Sequence, residues 1–281
     1  MKVSIIGHGF VGKALENGLN DEVKTLIIDP IYKNKISDIC SFNSDVVFIC
    51  VPTPMRDNGD QDLNILNEVI EDINKIKINA EIVIKSTVLP SNITNIKKLI
   101  PNVIYNPEFL TESSANEDFI NAELIVLGGN NKNVNKISSF YKDHTKCVSN
   151  NIIHTDLITA SLIKYTINSF LASKVIFFNE LNSLFKKSGT NESWENFIKA
   201  ISSDSRIGKS HMQVPGPDGR YGFGGACFPK DSQALYQYST SLESPLHILK
   251  KVIDINNNIR SSYDSATNRE HQQNIKFLTK E

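Results

Sequence analysis

The chain has little of several features that would set its class at once. It carries 4 cysteines, 1 tryptophan and no surplus of either charge, with 30 Lys and Arg against 31 Asp and Glu and a formal net charge of −1. Cys40, Cys50, Cys147 and Cys227 are too few and too scattered for a disulfide scaffold or a zinc site. The charge balance offers no field to gather nucleic acid or an anionic membrane surface. Long apolar runs are missing as well: the stretch Asp45–Pro52 (DVVFICVP) falls far short of the about 20 residues that span a bilayer. One lysine and then Gly7 near the amino terminus do not make a secretory signal. There is no low-complexity linker and no repeat of about 20–50 residues. The expectation is a soluble, cytoplasmic protein with no nucleic-acid, membrane or metal partner.

What is present is an ordinary globular composition, 40% hydrophobic and 22% charged, over 281 residues. That length predicts two domains. In the first half, short apolar runs alternate with helical patterns. Strands are predicted at Lys2–Ile6, Val23–Asp29, Val46–Val51, Glu81–Lys85, Val103–Tyr105 and Glu123–Leu127. The clearest helices are Leu63–Lys77 and Ser91–Leu99, the latter preceded by a proline that a first helical turn tolerates. Strands apolar on both faces and separated by helices imply a doubly wound parallel sheet. From Asp156 to about Lys187 neither Gly nor Pro interrupts a pattern apolar nearly all round, which predicts one long buried helix. Further helices follow at Ser193–Ser202, Ser232–Leu242 and Leu246–Arg260. The fold class is therefore α/β, with a Rossmann-like domain over residues 1–155 and an α-helical domain over 156–281. Its last stretch, Ser261–Glu281, is polar and is expected to fray.

Gly7-His8-Gly9-Phe10-Val11-Gly12 follows the first strand directly and opens a helix. In that context the glycines serve a tight turn, close approach of backbone to a pyrophosphate, and close helix–strand packing. The helix start adds N–H groups and a positive dipole end. Asp29, 22 residues after Gly7, ends the second strand where a carboxylate meets the adenosine ribose. A 2′-phosphate there would face a negative charge, so NAD is the expected cofactor rather than NADP. The plainer alternative is a structural turn with Asp29 as a strand-end cap.

Tyr221–Asp231 (YGFGGACFPKD) is the other informative segment. Its glycines let backbone approach a ligand, and Pro229 suits a first helical turn, which sets Cys227 just before a helix start. A thiol there, beside Lys230, is expected to have a lowered pKa and to be a competent nucleophile, with Asp231 four residues on. A buried cysteine in a glycine-rich loop is the alternative. Lys164 and Asn168 stand one turn apart on the long helix. A lysine there needs a partner or a function, unless it snorkels to the surface. Thr87, Glu108 and Glu112 follow the fourth and fifth strands, at the carboxyl ends where open α/β sheets bind ligands. Either glutamate also suits an ordinary helix start. Cys40, Cys50 and Cys147 have no such neighbours and are expected to be structural.

With these residues in view, the chain resembles the UDP-glucose/GDP-mannose dehydrogenase family. The matching pieces are GHGFVG at Gly7–Gly12, VPTP at Val51–Pro54, STV at Ser86–Val88, NPEFLTES at Asn106–Ser113, KYTINSFLASKVIFFNEL at Lys164–Leu181, DSRIG at Asp204–Gly208 and GFGGACFPKD at Gly222–Asp231. The resemblance implies an NAD-dependent, four-electron oxidation of a sugar nucleotide from primary alcohol to carboxylate, with UDP-glucose the leading substrate. It implies that Cys227 forms a thiohemiacetal and then a thioester, that Lys164 and Asn168 hold the oxyanion, and that Asp231, Thr87 and Glu112 assist proton transfer. Gly7, Gly9, Phe10, Val11, Gly12, Asp29, Thr53, Thr87, Glu112 and Lys230 would contact NAD. Glu108, Phe109, Leu110, Lys164, Asn168, Arg206, Tyr221 and Gly224 would contact the sugar nucleotide. A homodimer through the long helix is also implied.

The chain departs from the family pattern at Thr111, where arginine is usual, and at Ser113, where glycine is common. Ser210–Arg220 is longer than in many bacterial relatives, and a third, nucleotide-binding domain is not seen. Two other classes are set against this reading. One is a two-domain dehydrogenase of a small hydroxy acid, which would lack the cysteine block. The other is a non-catalytic dimerising relative.

Overall fold

The structure is a computed structural model that describes Met1–Phe277. It divides into two compact units, Met1–Thr53 with Asp62–Lys164, and Pro54–Gln61 with the chain from Tyr165 onward. Among the described residues of the first unit, seven strands form one sheet in the order β2-β1-β3-β4-β5-β6-β7. They are β1 (Lys2–Ile6), β2 (Lys24–Ile28), β3 (Val46–Ile49), β4 (Glu81–Ile84), β5 (Ile104–Tyr105), β6 (Ile125–Gly128) and β7 (Ile152–Thr155). Between them run α1 (Phe10–Gly18), α2 (Asp38–Phe42), α3 (Asn64–Ile76), α4 (Pro90–Leu99), α5 (Ala115–Ile120) and α6 (Asn131–His144).

Alternation along each strand decides how the sheet is covered. Ile6, Val47, Ile49, Ile82 and Ile84 join one buried cluster with Leu66, Ile70 and Ile93 of α3 and α4. Their strand neighbours Val3, Ile5, Val46, Phe48 and Val83 join another with Leu15, Ile137 and Phe140 of α1 and α6. Both faces are therefore core, and each fully buried Ile or Phe contributes about 1.5–3 kcal/mol.

The sheet is parallel except at one joint, where β5 and β6 pair antiparallel through Tyr105 and Gly128. A parallel return needs a helix that crosses the sheet. The intervening α5 has only 6 residues, and its Phe119 lies where a Cβ on Gly18 would be, 2.1 Å away. Edge strand β7 has no apolar run to announce it; His154 is exposed and Ile153 is 41% exposed.

A long helix, α7 (Leu157–Lys187), runs through the division between the units. Asp156 caps it by accepting from the N–H groups of Ile158 (2.8 Å) and Thr159 (2.9 Å). The second unit adds α8 (Trp194–Ile201), α9 (Phe228–Ser241), α10 (His247–Arg260) and α11 (Asn268–Gln272). The expected burial of α7 holds on one side only: Ala172 and Ile176 are core, whereas Phe170, Phe177 and Leu184 stay 60–67% exposed. The expectation of a fraying end also needs correction. Thr267 and Glu270 form a reciprocal capping box that starts α11, and Glu270 is fully buried. Residues 278–281 lie outside the described residues. No helix among the described residues is long and apolar enough to cross a membrane.

Candidate active site

In the first unit the chain leaves β1 at Gly7, whose φ of +90° suits glycine and whose N–H donates to Ile28 O (2.8 Å). A Cβ on Gly12 would lie 2.2 Å from Gly7 O, so turn and helix touch backbone to backbone. Gly9 caps α1, and a Cβ there would meet nothing within 4 Å. Space beside the backbone is thus free at Gly9 among the described residues, while Phe10 and Val11 of the first turn are half-buried. Asp29 accepts from His8 N–H (2.8 Å) on one oxygen and from Ile31 N–H (3.2 Å) on the other. Each oxygen keeps a lone pair for a hydroxyl. An open helix start beside a fixed carboxylate fits the phosphates and ribose of a dinucleotide. His8 itself had no role in the sequence reading. Its ring is held between Glu16 Oε2 (2.7 Å) and Tyr32 OH (3.0 Å).

At the carboxyl ends of β3 and β4, buried Thr53 donates to Thr87 O (3.0 Å) and Ser86 donates to Val51 O (2.7 Å). After β5, Glu108 is buried and tied on both oxygens, accepting from Leu110 N–H (2.7 Å) and from Lys164 Nζ (2.9 Å). Lys164 also donates to Glu108 O (2.6 Å) and stands 5.4 Å over the Phe109 ring. Burial alone would push the Glu108 carboxyl up, but the Lys164 ammonium and the Leu110 N–H hold it below its ordinary value. The lysine flagged in the sequence thus has a buried partner and does not snorkel. Glu112 is exposed and opens a 3-10 turn, Glu112–Ser114. Unflagged Lys85 is buried beside this loop, donating to Asn106 Oδ1 (3.0 Å), and burial pushes its pKa down.

In the second unit, Cys227 is the N-cap of α9, Pro229 lies in the first turn, and Asp231 N–H donates to Cys227 O (2.9 Å). Asp231 is 1% exposed and its carboxylate is gripped from both sides, by Lys230 Nζ (2.6 Å) and by Asn168 Nδ2 (2.6 Å). The Lys230 ammonium is thus committed to Asp231. Arg206 is exposed and folded back onto Asp204 (2.6 Å), whose carboxyl it holds below the usual range. Tyr221 is 40% exposed; its N–H donates to Tyr263 OH (2.8 Å) and its hydroxyl accepts from Lys186 (3.2 Å). Gly224 is pressed against Arg260 and Glu270, where a Cβ would stand 2.3 Å from both side chains. Asn168, Lys230 and Asp231 thus share one cluster at the start of α9, while Arg206 and Tyr221 make other contacts.

A Rossmann-like unit with a glycine turn and a fixed carboxylate is thus followed, through one long helix, by a helical unit that carries a cysteine at a helix head. Residues 15–145 match the model of the NAD-binding domain of the UDP-glucose/GDP-mannose dehydrogenase family, and residues 158–258 match the model of its central domain. The chain belongs to that family. It is 37% identical to the UDP-glucose 6-dehydrogenase of Rickettsia conorii over 91% of its own length and 66% of the relative's. It therefore spans about two thirds of the length of the curated relatives it matches. A solved UDP-glucose dehydrogenase from the archaeon Pyrobaculum islandicum superposes with a TM-score of 0.77 at 26% identity, over 92% of this chain and 68% of that one. A 3-hydroxyisobutyrate dehydrogenase from Mycobacterium tuberculosis gives a TM-score of 0.71 over 93% of this chain and 94% of that one, but at 16% identity it shares the fold alone.

Proposed function

We propose that this chain oxidises the primary alcohol of a sugar nucleotide, UDP-glucose first among candidates, through the aldehyde to the carboxylate. The observation that carries the reading is Cys227 at the head of α9 with the buried Asp231 carboxylate in the next turn, itself held by Lys230 and Asn168. Bound NAD would supply the hydride acceptor for both oxidations, alcohol to aldehyde and thiohemiacetal to thioester. In this reading the α1 start, from Gly7 through Gly9, Phe10 and Val11 to Gly12, holds the pyrophosphate and Asp29 the adenosine ribose, while Thr53, Thr87, Glu112 and Lys230 border the cofactor.

The Cys227 sulfur adds to the aldehyde carbon, forming the C–S bond and leaving an oxyanion on the former carbonyl oxygen. Lys164 and Asn168, one turn apart in α7, stabilise that charge, a kind of contribution worth about 3–4 kcal/mol per donor in acyl chemistry. Water then attacks the thioester carbon, the C–S bond breaks, and the thiolate leaves as the carboxylate forms. Asp231, with Thr87 and Glu112, moves the water's protons. Glu108, Phe109, Leu110, Arg206, Tyr221 and Gly224 complete the substrate contacts in the same reading. A cytoplasmic location belongs to it too.

The homodimer is part of the proposal. Phe170, Phe177 and Leu184 recur every seven residues and are 67%, 60% and 62% exposed, a coiled-coil-like stripe. Together with Ile207 and Ile248, the two phenylalanines line a groove of about 550 Å³. A second copy's α7 covers such an apolar stripe more readily than water does. Light scattering should report a dimer, and Phe177→Glu a monomer; a wild-type monomer at micromolar concentration removes this part.

The activity is tested by incubating the protein with NAD and UDP-glucose, GDP-mannose or an N-acetylated UDP-sugar, following NADH and acid product. Two NADH per acid are expected. Cys227→Ser should bind NAD yet stall before free acid, with an ester visible by mass spectrometry. Acid release at the wild-type rate by Cys227→Ser would end the thioester reading. No NADH from the wild type at millimolar substrate would favour a non-catalytic relative.

A further inference from the structure

The loop that leads into Cys227 is held by side chains. Its backbone groups bond to side chains that arrive from three helices. Gly222 N–H donates to Asn179 Oδ1 of α7 (2.9 Å). Phe223 N–H donates to Asn256 Oδ1 of α10 (2.7 Å), and Phe223 O accepts from Asn256 Nδ2 (3.0 Å). Gly225 N–H donates to Glu270 Oε1 of α11 (3.3 Å).

Glu270 is also locked from behind. Its Oε1 accepts from Arg260 Nη2 (2.6 Å), and its Oε2 accepts from Thr267 N–H (2.6 Å). Arg260 is fully buried, donates through Nη1 to Asp218 Oδ2 (2.7 Å), and lies 5.5–5.6 Å from the rings of Tyr263 and Phe277. Gly224 has no Cβ because that space is filled by the same Arg260–Glu270 pair. A buried ion pair is costly to assemble and is no efficient device for stability alone. Here it touches two consecutive residues of the loop two and three positions before the thiol.

The segment that carries Glu270 has a second anchorage. Gln273 O accepts from Met55 N–H (3.0 Å), Asn274 Nδ2 donates to Met55 O (2.9 Å), and Lys276 pairs with Asp57 (2.6 Å). The strap Thr267–Lys276 therefore ties the excursion Pro54–Gln61 and the cysteine loop to one another within the second unit.

We propose that Glu270, backed by Arg260, is a positioning residue for Cys227, and that the α11 strap belongs to the catalytic machinery. The proposal rests on the reading of Cys227 as the nucleophile, and its test is chosen to fail separately from that reading. The probe is iodoacetamide, which alkylates the Cys227 sulfur by displacing iodide and needs no sugar nucleotide. A Cys227→Ser control identifies that site's share of the label. Glu270→Ala should change the Cys227 alkylation rate about fivefold and shift its pH profile. It should lower kcat roughly tenfold or more, since small misplacement at a distance costs up to about 100-fold. The KM for the sugar nucleotide and the NAD affinity should stay within about twofold, and Glu270→Gln, which keeps the shape, should recover part of the loss. If Glu270→Ala does not fold, Thr267→Ala, which only loosens the cap of α11, should give a smaller change in the same direction, about threefold.

Alkylation and kcat both equal to wild type in a folded variant that merely melts earlier would overturn the proposal. An inactive wild type would sink the proposed function, yet the alkylation contrast would still decide the brace.

Discussion

Two glycine-rich segments lead into helices in this molecule, Gly7–Gly12 into α1 and Gly222–Cys227 into α9, and they are held in different ways. The first is fixed mostly by neighbouring backbone, since Gly7 N–H bonds to Ile28 O and Gly12 rests on Gly7 O, with one side chain, Asp29, on the His8 N–H. The second is fixed by side chains from Asn179, Asn256 and Glu270. Carbonyl oxygens of a sheet are wherever the sheet is, so a turn that relies on them needs only its own motif. A turn that relies on distant side chains needs the whole unit folded around it, and its geometry is adjustable by changes far from the thiol.

Breaking the first turn should have the largest effect. Gly12→Ala places a methyl 2.2 Å from a backbone oxygen that cannot step aside, and overpacking of this kind costs about 3 kcal/mol. The first unit should lose that much in denaturant unfolding, and NAD binding should fall with it. Gly224→Ala meets two side chains instead, and should leave NAD affinity within about twofold while altering Cys227 alkylation. Equal losses of NAD binding in both variants would erase the distinction.

Next in size is Asn256→Ala. The buried amide satisfies both the N–H and the O of Phe223, and leaving those groups unpaired costs about 2–3 kcal/mol. The unfolding free energy should fall by that amount, seen as a lower midpoint at an unchanged denaturant slope. A loss below about 0.5 kcal/mol would mean that the second turn is self-supporting like the first.

This contrast also explains what could be foreseen from residues alone. The doubly wound first unit, the long helix and the position of Cys227 at a helix start all follow from local pattern: apolar alternation, the absence of Gly and Pro, and Pro229 two residues after the thiol. What escaped has no local signal. Asn179, Asn256 and Arg260 occupy ordinary helix positions, and Glu270 sits in a polar stretch whose composition predicts fraying. Only its spacing from Thr267 carried a hint, since a threonine three residues before a glutamate is a capping box. β7 was missed because its exposed edge carries no apolar run, and the β5–β6 reversal because strand direction is invisible to periodicity. The partner of Lys164 was also out of reach, since Glu108 is 56 residues away in sequence.

A smaller effect is expected at Asp29. Its two oxygens already serve the His8 and Ile31 N–H groups, so its removal loosens the Gly7 turn as well as the ribose contact. Asp29→Ala should weaken NAD about tenfold, or roughly 1.4 kcal/mol, and improve the relative use of NADP, measured by titrating each dinucleotide. Unchanged NAD affinity would remove Asp29 from the cofactor site and leave it a strand-end cap.

The smallest effect expected is a pH dependence that marks the second turn. Burial pushes the Glu270 carboxyl up, but the Thr267 N–H and the Arg260 guanidinium outweigh it and hold the folded value below the ordinary 4.5. A carboxyl depressed on folding binds fewer protons in the native state, so its contribution is complete above pH 4.5 and is lost as pH falls through the lower folded value. Glu108 is depressed in the same direction in the first unit, so wild-type acid loss alone does not isolate Glu270. Comparison with Glu270→Gln does. Above pH 4.5 the wild type should be the more stable by about 1 kcal/mol, the margin of a charged over a neutral hydrogen bond. Below it the two unfolding curves should converge. Parallel curves from pH 6 down to about pH 3 would show that the Arg260–Glu270 pair keeps its charge throughout or contributes nothing, and the brace would then act by shape alone.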